Sequence, residues 1–424
     1  MNIIFLTLVR IADVEEKGIY SDLMRKFRNE GHQVYIVTPC ERRMGLPTSI
    51  VENKGVNILN VRTLNIQKTN VIEKGIGTLL VERQYIKAIK KYLSDVQFDL
   101  ITYSTPPITF TNVVKYLKKR NPQPISYLQL KDIFPQNAAD LGMFGEKSLF
   151  YWYFRRKEKS LYRVSDYIGC MSPANVKFVL DHNPELGVSR IEVAPNSIEI
   201  EKQQEAAINT VTDIELQEKN ERFYIRKKYD LPTDKPIFIY GGNLGKPQGI
   251  NYLVKCLEAV KNRLDCYFVV VGSGTEKNKL DNWYEQQDHD DNFAVKVMSF
   301  LPKEDYDMLV KYCDVGLIFL DYRFTIPNYP SRLLSYLENK MPVICATDKN
   351  TDIGRIAEEN GYGYWCESVN PEDFVISVDK ILKSDRKTMG VKGYNFLCQN
   401  YLVEHTYHAI MKHFTAIDRL DGIG

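Results

Sequence analysis

The chain has 424 residues, 44% of them hydrophobic and 26% charged, which is too long for one ordinary core and points to two domains. Its 56 Lys and Arg against 54 Asp and Glu leave a net charge of +2. That balance excludes broad nucleic-acid binding resting on a basic excess.

In chain order, residues 1–9 form an apolar run with no basic region before it and no small-residue cleavage site after it. They read as a first strand, 3–8, rather than as a signal peptide. A helix follows over 20–29, with Leu23, Met24 and Phe27 at helical spacing and Gly31 as its stop. Further strands are expected at 34–38, 56–61, 100–103, 125–128, 167–171 and 191–194. Strand–helix–strand repetition of this kind requires a parallel, doubly wound α/β sheet.

After Pro195-Asn196 the pattern breaks, and the polar stretch 201–230 reads as an exposed helical connection. The alternation restarts at 236–240 and continues through 266–271, 295–298, 315–319, 341–346 and 362–366, followed by a helical segment over 375–413. The expected domains are 1–198 and 199–402, with a terminal helix at about 403–424 as a candidate to pack back on the first. Two Rossmann-like halves imply a cleft faced by the carboxyl ends of both sets of strands. No stretch approaches the roughly 20 apolar residues that cross a bilayer, so membrane contact is expected to be peripheral. The eight cysteines have no paired or metal-ligand spacing and read as buried and reduced, hence a cytoplasmic protein.

Three loops of the second half carry phosphate-binding chemistry. The first is Gly241-Gly242-Asn243-Leu244-Gly245-Lys246-Pro247-Gln248-Gly249, ahead of a helix starting near Ile250. Glycines admit a phosphate close to the backbone and Lys246 offers a mobile charge, although a plain β–α turn has the same composition. The second, Val271-Gly272-Ser273-Gly274, is a weaker signal. The third runs from Asp321 through Tyr329-Pro330 into a helix over 331–339. There Ser331 is a candidate N-cap, and Arg332 with free amides suits a pyrophosphate; a merely solvated Arg332 is the alternative.

These loops resemble those of the retaining glycosyltransferases of family 4, in particular bacterial enzymes of capsule and O-antigen synthesis with the GT-B fold. Gly242-Asn243-Leu244-Gly245-Lys246 is similar to their donor-phosphate loop. Pro327-Asn328-Tyr329-Pro330-Ser331-Arg332-Leu333-Leu334-Ser335-Tyr336-Leu337-Glu338 is similar to their donor helix, and Pro195-Asn196-Ser197 to their Pro-Asn-Gly domain junction. The resemblance implies donor contacts at Gly242, Asn243, Leu244, Gln248, Gly272, Leu301, Tyr329, Pro330, Ser331, Leu333 and Glu338, with Lys246 and Arg332 as the cations. The chain departs from the family where a Glu-x7-Glu frame is usual, because Pro327 and Ser335 stand there. Glu338, one turn beyond Ser335, is a candidate partial substitute. Asn243 and Gln248 occupy the places of the usual Arg and Lys.

In the first half, Leu130-Lys131-Asp132-Ile133-Phe134-Pro135 resembles the family's Asp-Leu-Trp-Pro-like motif. Asp132 is a candidate base for the acceptor hydroxyl, or else the cap of a helix near Pro135. Gly18, Ser104 and Lys131 are expected on the same acceptor side. Two segments combine apolar and basic residues suited to an anionic membrane: 68–93, the preferred one, and 150–157, which leads straight into a strand and reads at least as well as a core-packing helix.

The resemblance implies transfer of a sugar, an N-acetylated hexosamine or deoxyhexosamine, from a UDP-sugar to a lipid-linked saccharide in surface polysaccharide synthesis. Retention at the anomeric carbon, no metal and no cofactor are implied with it, as is a peripheral location at the inner face of the plasma membrane. A non-catalytic nucleotide-sugar-binding subunit that assists a partner transferase is the rival of another class, and a UDP-sugar 2-epimerase is a third reading.

Overall fold

The computed structural model describes residues 1–66, 71–200 and 211–421, and the side chains within them except at 71, 72, 74–76, 211–215 and 415–421. The chain divides into two compact units, Met1–Glu199 with Tyr401–Gly424, and Ile200–Asn400. Each is built on its own sheet.

In the first unit the strands are β1 (Asn2–Leu6), β2 (Gln33–Glu41), β3 (Ser49–Asn53), β4 (Val56–Thr63), β5 (Leu100–Ser104), β6 (Ile125–Leu130), β7 (Tyr167–Cys170) and β8 (Ile191–Val193), in the order β3-β4-β2-β1-β5-β6-β7-β8. Apolar runs on β1, β5 and β6 are buried on both faces, as parallel strands covered by helices must be. Register follows from that burial: Ile3 pairs with Val34 on one side and Leu100 on the other. Gly31, at φ +83°, closes the helix Ile19–Asn29. Strand β3 was not expected from the sequence. It is an antiparallel, mostly solvent-facing edge joined to β4 by Lys54-Gly55, both with positive φ, a turn that matches hairpin twist.

The second unit holds β9 (Ile237–Asn243), β10 (Tyr267–Ser273), β11 (Val295–Met298), β12 (Val315–Phe319), β13 (Val343–Thr347) and β14 (Gly363–Glu367), all parallel, in the order β11-β10-β9-β12-β13-β14. The polar helix Val211–Lys228 is not a loose connection at its carboxyl end. Arg226 is buried there, donating to the carbonyls of Tyr312, Pro232 and Lys235 and pairing with Asp314 at 2.6 Å. Residues 201–210 lie outside the described residues.

The expected terminal helical segment is three helices, Pro371–Lys383, Arg386–Asn400 and Val403–Asp421. Between the last two the chain returns to the first unit, where Ile198 and Leu402 form a bridge. The helix Val403–Asp421 is held there by Tyr407 against Phe27 and by His413, stacked 3.5 Å over Tyr167 and 3.1 Å from a Glu192 oxygen. None of the eight cysteines is in a disulfide; seven are buried and Cys398 is part-buried. Among the described residues no helix is long and apolar enough to cross a membrane.

Candidate functional site

In the second unit, β9 and β10 run further than their apolar residues do. Gly242 pairs with Gly272 and Asn243 with Ser273, so both glycine stretches begin as strand rather than loop. Gly272 answers to that pairing: a Cβ there would stand 2.0 Å from the Gly242 carbonyl oxygen. The close strand pairing alone therefore demands glycine there. Beyond the strand, Gln248 Oε1 accepts from Asn243 Nδ2 at 2.9 Å and from the Gly245 amide at 3.2 Å. The two residues standing in the places of the family's cations therefore lock the loop together. Lys246, on the turn Lys246–Gln248 that precedes the helix Ile250–Val260, is exposed and has no ion pair among the described residues.

Arg332 opens the short helix Arg332–Glu338. Its guanidinium lies over the Tyr240 ring, 4.3 Å from the centroid, and Nη1 is buried without a hydrogen-bond partner. Gly242 borders it so closely that a Cβ there would lie 3.6 Å from Nη2. Tyr336, fully buried, donates to the Ile239 and Leu317 carbonyls and flanks the same space, as does Tyr306. No carboxylate of the described residues pairs with this guanidinium. A desolvated donor with positive charge and no counter-ion is complementary to an anion, and leaving it unmet costs about 1–3 kcal/mol.

Ser331 occupies the N-cap position, but its backbone is helical and its side chain makes no capping bond. The amides of Leu333 and Leu334 turn back to the carbonyls of Pro330 and Ser331, so fewer free amides stand at this helix start than the sequence suggested. Leu244 and Leu333 are core side chains with no exposure, which removes them as side-chain contacts. Leu301, Tyr329 and Pro330 are part-buried in loops. Glu338 ends the helix, about 9 Å along the axis from Arg332, and its charge is felt by Tyr394 of the neighbouring helix. It is thus remote from Arg332.

Sequence reasoning missed the brace beneath the Tyr329 loop. Asp348, fully buried just past β13, accepts from the Asn350 and Thr351 amides and the Thr351 hydroxyl, each at 2.8 Å. Thr351 Oγ1 in turn accepts from the Asn328 amide at 3.0 Å, and Asn350 Nδ2 donates to the Phe324 carbonyl at 2.7 Å. Burial raises the Asp348 carboxyl to about 6. The signal was present as Asp348-Lys349-Asn350-Thr351, a side-chain-closed turn after a strand.

In the first unit the ends of β5 and β6 meet through Thr105, whose Oγ1 accepts the Lys131 and Asp132 amides at 2.9 and 3.0 Å. Asp132 does not cap a helix. Pro135 precedes the helix Gln136–Asp140, and Asp132 Oδ1 instead accepts from Asn137 Nδ2 at 2.7 Å. Burial raises its carboxyl to about 6, opposed by that bond. Burial also lowers the Lys131 ammonium to about 7. Tyr20, which the sequence did not flag, brings its hydroxyl beside Ser104 and within the field of Asp132. Gly18, ahead of the helix Ile19–Asn29, has a φ of 175° that suits any residue, and its amide donates to Asp22 Oδ1 at 2.8 Å. An anion is not admitted by that amide, because a buried carboxylate already holds it.

The preferred membrane segment is partly core. In the helix Val71–Tyr92, Val81, Tyr85 and Ile89 are buried in the first unit, and Tyr85 donates to the Thr7 carbonyl at 2.7 Å. These three are core, whereas Leu79 is exposed and Leu80 and Ile86 are part-buried. Residues 67–70 and the side chains of Ile72 and Ile76 lie outside the described residues. Among the described residues no three His, Cys, Asp or Glu side chains converge as a metal site.

Residues 221–396 match the family described as Glycosyl transferases group 1, so the second unit carries a domain of that family. Two curated relatives align: "Probable glycosyltransferase WbjE" of Pseudomonas aeruginosa, 23% identical over 65% of this chain and 64% of that protein, and "Putative colanic acid biosynthesis glycosyl transferase WcaI" of Escherichia coli, 24% identical over 42% and 41%. The chain thus spans under two thirds of either relative. Among solved structures, sucrose-phosphate synthase of Thermosynechococcus elongatus matches with a TM-score of 0.74 at 14% identity, covering 99% of this chain and 100% of that one. Anabaena HepE in complex with UDP matches with a TM-score of 0.64 at 12% identity, covering 98% and 100%. Both likenesses establish a shared fold, the GT-B fold of two Rossmann-like units.

Proposed function

We propose that the chain is a glycosyltransferase that moves a sugar from a UDP-sugar to a saccharide acceptor in surface polysaccharide synthesis. The observation that carries this reading is Arg332, a guanidinium with a buried, unmet donor bordered by Gly242. The group 1 family match over that unit, the printed names of the two relatives and the UDP complexes of fold neighbours support it.

In the proposed reaction the bond from the sugar anomeric carbon to the β-phosphate oxygen breaks, and its electron pair leaves with UDP. Arg332 and the mobile Lys246 meet the charge that develops on the diphosphate. The acceptor hydroxyl oxygen bonds to the anomeric carbon with retention, and Asp132 takes its proton. A lipid-linked acceptor, an N-acetylated donor sugar, independence of metal and a position at the inner membrane face belong to the same proposal.

The absence of glutamate at Pro327 and Ser335, with Glu338 at the far end of its helix, favours a second reading: a subunit that binds nucleotide sugar without turning it over. Purified protein incubated with UDP-N-acetylhexosamines and a membrane extract separates the two. Acceptor-dependent, multiple-turnover release of UDP supports the enzyme, whereas UDP binding with no release supports the subunit.

A further inference from the structure

The helix Leu149–Val164 starts with large apolar side chains turned to solvent: Leu149 is 85% exposed, Phe150 69% and Trp152 61%, with Tyr153 also exposed. At about 100° per residue, Leu149, Phe150, Trp152, Tyr153, Arg156 and Lys157 fall within one arc of roughly 160°. Tyr151, Phe154, Arg155, Glu158, Leu161 and Tyr162 fill the remainder. That inner arc is satisfied: Arg155 pairs with Glu158, and Glu158 accepts from the buried Tyr162 hydroxyl at 2.6 Å. The outer arc is apolar in its first turn, from Leu149 to Tyr153, and basic in the next, where Arg156 lies over Trp152 and Lys157 over Tyr153.

Charge points the same way. Residues 147–163 hold six Lys and Arg and one acid, Glu158, which is buried. Lys159 and Arg163 reach Glu185, while no carboxylate of the described residues pairs with Lys147, Arg156 or Lys157. The inner face is continuous with the segment bearing Asp132. Phe134 packs on Phe154 with ring centroids 5.0 Å apart, and the Tyr151 hydroxyl donates to Gln136.

We propose that the start of the helix Leu149–Val164 docks on an anionic phospholipid surface. Phe150 and Trp152 enter the headgroup–acyl boundary, and Arg156 and Lys157 meet lipid phosphates one turn behind. Docking there brings the Asp132 segment to the membrane surface, a consequence that rests on the acceptor-side reading; the docking itself does not.

The test is co-sedimentation of the full chain with vesicles of phosphatidylcholine alone or mixed with phosphatidylglycerol. Wild type is expected to pellet with the anionic vesicles at low salt and to be released as salt rises. Each basic residue near the surface contributes about fivefold in partitioning, so Arg156→Gln with Lys157→Gln should bind about 25-fold more weakly. Phe150→Ser with Trp152→Ser should abolish pelleting while leaving stabilisation by UDP intact, which separates failed docking from a failed nucleotide site or a misfolded protein. Absence of anionic-vesicle binding by wild type, or unchanged binding by both double variants, overturns the proposal. So does a dimer in gel filtration that the Phe150→Ser, Trp152→Ser variant dissolves, because a second copy then covers the face.

Discussion

The Arg332 guanidinium lies over the Tyr240 ring, 4.3 Å from carbon to centroid, with Nη1 buried and unpaired. That contact fixes the orientation of the guanidinium before any ligand arrives. Replacing Arg332 by Met removes a cation–π energy of about 0.5–2 kcal/mol together with an unmet donor costing about 1–3 kcal/mol, so the free protein should lose no more than about 1 kcal/mol of stability and can gain up to about 2.5 kcal/mol. Nucleotide binding should behave differently. Loss of a charge-assisted hydrogen bond, about 1.5–3 kcal/mol, weakens UDP roughly 10- to 150-fold by calorimetry. Unchanged affinity would detach Arg332 from the diphosphate.

Asp132 is expected to set the acid limb of activity. A base must be ionised, and its carboxyl is raised to about 6 by burial, so turnover should fall as pH drops through about 6. Asp132→Asn should lower kcat by about 10²- to 10⁴-fold and leave UDP affinity unaltered. An unchanged kcat would assign the carboxylate a purely local role with Asn137.

Lys131 allows a check on stability alone. Its ammonium is lowered to about 7, so the unfolded chain binds the proton more tightly between about 7 and its ordinary value. Burial of this group therefore destabilises the fold fully below pH 7, and the penalty fades as pH rises above it. Lys131→Met should raise the melting temperature at pH 6 and change it little near pH 10. A gain that grows with pH would contradict the burial.

Arg226 ties the helix Val211–Lys228 to the second unit through three carbonyls and Asp314. Arg226→Ala leaves Asp314 without its buried partner and should cost about 3–5 kcal/mol in urea unfolding. Arg222 reaches the same Asp314 from a more exposed position, where water screens the pair, so Arg222→Ala should cost less than about 1 kcal/mol. Equal losses for the two variants would contradict the anchoring role of Arg226.

The α/β class and the parallel strands were legible because buried strands concentrate β-branched and apolar residues, as in Phe268-Val269-Val270-Val271. Strand β3 was not, since an exposed edge needs no apolar run. Arg332 and Lys246 could be picked out by residue type and position, but the box of Tyr240, Tyr306 and Tyr336 could not, because it joins side chains from three separate segments. The same limit hid Tyr20 beside Asp132. Periodicity also could not sort inside from outside: Tyr85 and Ile89 are core while Leu79 of the same helix is exposed, and Phe150 and Trp152, in a block that reads equally well as core, lie outside.

The central claim is that the second unit binds a uridine diphosphate through Arg332, and thermal unfolding of wild-type protein with UDP, GDP, ADP, CMP and dTDP tests it most directly. A nucleotide present at 100-fold over its dissociation constant adds about 2.7 kcal/mol, which is readily seen. Selective stabilisation by UDP is the predicted result, and stabilisation by none of the five would contradict a nucleotide site at Arg332.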